Sequence, residues 1–174
     1  MKRTLKKFFA LIMTFALSFQ IFSVSAYAAP SSDEVVVFSF TNEDFLNAAK
    51  QAYSNGDLSE EDFDTILSMF SARLGVKGEN KVVQISSDTY DYYLNNIVWA
   101  AVVAVGGTAV GAIIGAIPGI SPALAAVLGS VAGGVGSALT GAENGVIIRI
   151  KSIDISAGIG VPQYMYRFVS IREQ

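Results

Sequence analysis

The chain has 174 residues, is 52% apolar and only 16% charged, and contains neither cysteine nor histidine. Without cysteine it can form no disulfide, so an exported form must be held together by packing alone. Zinc sites of the Cys/His type and the Cys–His and Ser–His–Asp nucleophile systems are likewise excluded.

The first residues read MKRTLKKFFALIMTFALSFQIFSVSAYAAP, with Lys2, Arg3, Lys6 and Lys7 as a basic start. An apolar run from Phe8 to Phe22 follows, and then the small-residue site formed by Ala26 and Ala28. This is the layout of a secretory signal peptide, residues 1–28, cleaved after Ala28. The apolar run is shorter than the roughly 20 residues needed to span a bilayer. The expected location is therefore secreted, or the extracellular face of the cell envelope. The long apolar run and Lys-rich start point to a Gram-positive bacterium. Removing this segment leaves 8 basic against 15 acidic residues, a net charge of −7. An acidic body of this kind does not suit nucleic acid, which rewards clustered Lys and Arg.

Residues 29–91 form an acidic α/β segment. EVVVFSF (34–40) is β-branched and aromatic enough for a strand. TNEDFLNAAKQAYSNG predicts a helix with Thr41 as N-cap and Asn55-Gly56 as its stop. SEEDFDTILSMFSARLG predicts a second amphipathic helix, with Ser59 and Asp62 in capping-box spacing. Its apolar face is Phe63, Ile66, Leu67 and Phe70, and Gly75 is placed to end it. NGDLSEEDF resembles the closing half of an EF-hand loop, but the early ligand positions would be Gln51 and Tyr53. With no carboxylates there, two short helices and a turn are the simpler reading. KVVQISS (81–87) is a further strand.

No charged residue occurs from Tyr92 to Ala142. The stretch is filled with Ala, Val, Ile and Leu rather than with the polar residues of a flexible linker. Pro118 and Gly119, followed by Ser121-Pro122, divide it into two arms, about Tyr90–Ile117 and Pro122–Thr140, which predicts a helical hairpin over 92–142. Gly107, Gly111 and Gly115 recur every four residues in the first arm, and Gly129, Gly133, Ser137 and Gly141 repeat the spacing in the second. Such rows form smooth ridges against which another backbone can approach closely, the signature of a glycine zipper. Each interior glycine weakens a helix by about 1 kcal/mol relative to alanine, so close packing or lipid must compensate. Two surroundings fit: the buried centre of a small domain, or a bilayer. Tyr90, Tyr92, Tyr93 and Trp99 near the first arm match an interfacial aromatic belt.

Residues 143–174 predict a β-hairpin, 146–155 paired with 163–172 across the flexible AGIG turn. Arg149 and Lys151 alternate with Ile148 and Ile150, which suggests a solvent face that protects an edge. The expected fold is α+β: a small antiparallel sheet of about four strands, two short amphipathic helices, and the Gly/Ala-rich hairpin.

On the composition and glycine spacing of residues 92–142, the chain resembles secreted Gram-positive bacteriocin-like proteins. Its layout is also similar to that of sporulation-delaying-type toxin precursors, although it has no double-glycine leader and no cysteine pair. The resemblance implies a secreted, non-enzymatic, membrane-active protein whose hairpin inserts into or associates with a bilayer. A lipid membrane is then the expected partner, with self-association through the glycine faces. The alternative is a cell-envelope or oligomeric interaction protein with the hairpin as its buried core. Carboxylate pairs such as Glu60 and Asp64 sit on a charged helix face and read as solvation rather than acid–base chemistry. No cofactor, metal, catalytic residue or nucleic-acid partner is expected, and no protein partner is indicated.

Overall fold

The structure, a computed structural model, describes residues 35–72, 75–135, 139, 141–156 and 163–174. Its elements in chain order are β1 (Val35–Ser39), α1 (Asn42–Asn55), α2 (Glu60–Ser71), β2 (Lys81–Ser86) and β3 (Thr89–Leu94). Then come α3 (Asn96–Val105), α4 (Gly107–Ala116), α5 (Pro122–Val135), β4 (Val146–Asp154) and β5 (Tyr164–Glu173). The fold is α+β. The strands form one antiparallel sheet in the order β1-β2-β3-β4-β5, with α1 and α2 inserted after β1 and the three apolar helices after β3.

The local chemistry of the first helices follows the sequence. Thr41 caps α1: its hydroxyl accepts from the Asp44 amide at 3.1 Å, and the Asp44 carboxylate accepts from the Thr41 amide at 2.7 Å. Both orphan N–H groups are thus satisfied reciprocally. Gly56 closes the helix with φ 80°, a conformation glycine adopts without a Cβ penalty. Ser59 caps α2. That helix stops at Ser71 with Ala72 as its cap, before Gly75. Phe63 stacks on Tyr53 and Phe70 on Phe45, while Ile66 is fully buried and Leu67 is turned outward.

The structure corrects three expectations. The sheet has five strands rather than about four, because TYDYYL forms β3 between β2 and β4 instead of opening the first hairpin arm. Tyr90 and Tyr92 point to the core face and Asp91 and Tyr93 to the other, the period-two pattern of a strand. The first arm is also two helices: Gly106, at φ 71° and ψ 171°, separates α3 from α4. Likewise, β4 lies inside the sheet, so Arg149 and Lys151 guard no edge.

A buried asparagine junction sets the boundary between β3 and α3. The Asn95 amide N–H donates to Asn80 Oδ1 at 2.7 Å, and Asn95 Nδ2 donates to Asn42 Oδ1 at 2.7 Å. Asn80 Nδ2 reaches the same Asn42 oxygen at 3.0 Å, and Asn95 Oδ1 caps α3 by accepting from the Val98 amide at 2.9 Å. Close by, the Gln174 side chain donates to the carbonyls of Leu94, Val146 and Glu79. It also accepts from the Glu79 amide, tying the end of the chain to three strand ends.

One continuous core joins the helices to one sheet face. Val82, Tyr92, Leu94, Val146, Ile148 and Ile150 contribute from the strands. Phe45, Ala49, Val98, Val102, Val110, Ile113 and Leu128 contribute from the helices. Trp99 is buried here, its indole N–H donating to the Leu139 carbonyl at 2.8 Å. The opposite sheet face carries Val83, Asp91, Arg149 and Ser170 in one row, with Lys81, Tyr93, Ile147 and Arg172 in the next.

Replacing Asn95 by alanine removes the α3 cap, leaves the buried Val98 amide N–H without its acceptor, and takes one of two donors from Asn42 Oδ1. A loss of about 2 kcal/mol is expected in urea unfolding of residues 29–174. The same change at exposed Asn55 should alter stability by no more than about 0.5 kcal/mol.

Candidate functional site

The hairpin residues singled out by the sequence lie in α4, α5 and their connection. Pro118 is exposed in the turn. Gly119 takes φ 92° there, with the Phe38 ring 3.3 Å from where a Cβ would stand. Pro122 opens α5, and Ser121 Oγ accepts from the Leu124 amide at 3.4 Å. Ile117 and Ile120, on either side of the turn, are buried and anchor it to the core.

The glycine rows are not equivalent. A Cβ on Gly129 would lie 2.6 Å from the Gly107 carbonyl oxygen and 3.0 Å from the Gly111 nitrogen. One on Gly133 would lie 3.2 Å from the Gly107 Cα. Backbone meets backbone at both positions; at Gly129 a Cβ cannot fit without a shift, and at Gly133 the facing backbone would have to give by a few tenths of an ångström. On the first arm, Gly111 and Gly115 face Ala125 at ordinary contact distances, and Gly107 has nothing within 4 Å of its would-be Cβ. Gly141 lies past the described end of α5, also with open space around it. Ser137, Ala26 and Ala28 lie outside the described residues.

The two arms divide their surface by side-chain size. Val110, Ile113, Ile114, Leu124, Ala125 and Leu128 point into the domain and are at most 5% exposed. The outer side is a shallow groove of about 580 Å³ lined only by small residues, among them Thr108, Ala112, Gly115, Ala126 and Ser130. Among the described residues no helix is long and apolar enough to cross a membrane. No group of three or more acidic side chains that could hold a metal ion occurs among them either. Glu60 and Asp64 stand exposed on α2.

The charged centre of the molecule is one that sequence reading missed. Asp91 on β3 has a side chain only 1% exposed, and Arg149 on β4 holds it with two bonds of 2.6 and 2.7 Å. Arg172 on β5 reaches its second oxygen at 3.3 Å. The pairing follows from register, since Asp91 stands directly opposite Arg149. A lone acid inside the alternating TYDYYL run, matched by a lone Arg in VIIRI, was the available signal. At the sheet's rim, the Lys151 ammonium lies 3.0 Å from the Asp88 carboxylate, which also accepts from the Thr89 and Ser86 hydroxyls. Together they pull the Asp88 carboxyl down to about 2, from the ordinary 3.8.

No protein-family model matches the chain, and no curated protein or solved structure matches it.

Gly129→Ala should destabilise residues 29–174 by about 1–3 kcal/mol, because the opposing atoms are backbone and cannot swing aside. Gly134→Ala, where a Cβ meets nothing within 4 Å, should be neutral or stabilise by up to about 1 kcal/mol through helix propensity. Thermal melts of the two variants make the comparison. For Asp88, a carboxyl lowered by folding stabilises the folded state above pH about 3.8, and that contribution disappears as pH falls through about 2. A carboxylate-detected NMR titration should place its midpoint near 2. In Lys151→Met the midpoint should move up toward the ordinary range.

Proposed function

We propose that the mature chain is an exported, non-enzymatic interaction protein of the cell surface or its surroundings, with the Gly/Ala-rich hairpin as its buried core. The observation that carries this reading is the burial of the large aliphatic side chains of α4 and α5 inside the domain. Those side chains are the ones a bilayer would have to receive, and here β-strands and α1 receive them. The export signal at residues 1–28 and the absence of histidine and cysteine chemistry support an extracellular, non-catalytic role.

A second reading, a membrane-active bacteriocin-like protein, is favoured by one specific feature. The outer groove of small residues between α4 and α5 is a glycine-zipper-type surface with room for another helix. In that reading the hairpin leaves the sheet, and its aliphatic and glycine ridges pack against lipid and against other copies.

Vesicle flotation of purified residues 29–174, with trapped-dye release measured in parallel, separates the two. The interaction-protein reading expects the chain to stay at the bottom of the gradient as a discrete species and to release no dye. Flotation with dye release would replace it with the membrane-active reading.

A further inference from the structure

At the end of the sheet remote from the asparagine junction, a cavity of about 380 Å³ opens between the core face of the strands and the α4–α5 turn. Its walls are aromatic: Phe38 from β1, Tyr90 and Tyr92 from β3, Tyr164 and Tyr166 from β5. Val82, Ile120 and Leu124 supply apolar surface, and the hydroxyls of Ser87 and Ser152 stand at its edge. No charged side chain lines it.

The tyrosines do not satisfy one another. Among the described residues, none of the four phenol hydroxyls makes a hydrogen bond, and none of the four rings stacks on another ring. Tyr92 is the telling case, because the residue is only 6% exposed and a buried phenol normally has a partner. Tyr92 itself lines the cavity. Burial, with Tyr166 and Tyr90 nearby, holds this phenol well above its ordinary range, so it stays protonated and able to donate.

We infer that this cavity binds one neutral saccharide ring, flanked by the tyrosine faces and hydrogen-bonded by the tyrosine and serine hydroxyls. The volume lies near the lower end of small-molecule sites, about 300–1,000 Å³. A hydroxyl both donates and accepts, so an array of hydroxyls is best matched by a ligand that does the same. An alkyl chain would leave the hydroxyls desolvated without partners. A quaternary ammonium would use the ring faces alone. A bare anion would find no cation. A pyranose offers apolar C–H faces to the rings and alcohols to the rim, and carries no charge.

The test uses residues 29–174 with tyrosine rings labelled for NMR. It is titrated separately with glucose, galactose and N-acetylglucosamine, and with tetramethylammonium as the contrasting probe. At least one sugar should shift the Tyr92 and Tyr166 ring signals saturably, and Tyr92→Phe should weaken that binding about tenfold while leaving the melting profile unchanged. Ser152→Ala, at the rim, should weaken it as well and covers the case in which Tyr92→Phe perturbs folding. Failure of all three sugars to bind, equal binding by both variants and the parent, or saturation by tetramethylammonium alone would each overturn the assignment. None of these outcomes depends on the flotation result, so the two ideas fail separately.

Discussion

Asn95 sits where a strand with alternating faces becomes a helix that is apolar on nearly every side, and its hydrogen bonds make that change of direction possible. Its backbone N–H is held by Asn80 and its Nδ2 by Asn42, while its Oδ1 starts α3 by capping Val98. Leaving any of these buried amides unpaired would cost as much as several hydrophobic contacts contribute. The junction also ties the start of α1 to the strand end beside β2, so the two helical insertions are placed relative to one sheet end by the same amides. Gln174 reinforces the site from the last residue of the chain.

From this junction the uncharged stretch is folded back on itself and used as packing material. Gly106 turns the chain between α3 and α4, and the Pro118–Gly119 turn reverses it onto α5. The helices weakened by glycine are compensated where Gly129 and Gly133 let two backbones approach within van der Waals contact. That approach leaves the larger aliphatic side chains on the inner side, where the sheet and α1 take them up. The same division leaves an outer groove of small residues. A single hairpin thus presents a large-residue surface packed in the core and a small-residue surface outside it.

The sheet separates two kinds of polar chemistry. Its outer face neutralises a carboxylate, Asp91, between two guanidinium groups on neighbouring strands. Such a pair specifies register more than it adds stability, because a slip by one residue would strand the acid among apolar neighbours. The inner face is apolar along most of its length and gains hydroxyl-bearing residues near the α4–α5 turn, where four tyrosines line a cavity. The Phe38 ring beneath Gly119 helps hold the turn at that distance from the strands.

The α+β class, the antiparallel β4–β5 pair, both helix caps at Thr41 and Ser59, and the turn at Pro118–Pro122 were legible in the residues. Each depends on chemistry within a few positions: a hydroxyl three residues from an amide, a ring that fixes φ, an alternation of period two. The strand Thr89–Leu94 was not read, because its tyrosines adjoin a long apolar run and a short strand beside a helix has no local stop signal except one asparagine. The Asp91–Arg149 pair joins residues 58 positions apart, Asn95 reaches Asn80 and Asn42 across 15 and 53, and the cavity brings tyrosines of β3 to those of β5; no spacing rule connects such residues. What the sequence by itself determined is that the large aliphatic side chains of residues 92–142 need cover from water and that the glycines there allow close packing. Only the tertiary structure decided what takes the place of water. The strands on either side of the hairpin pair with one another, and this lays their apolar face against its aliphatic ridge.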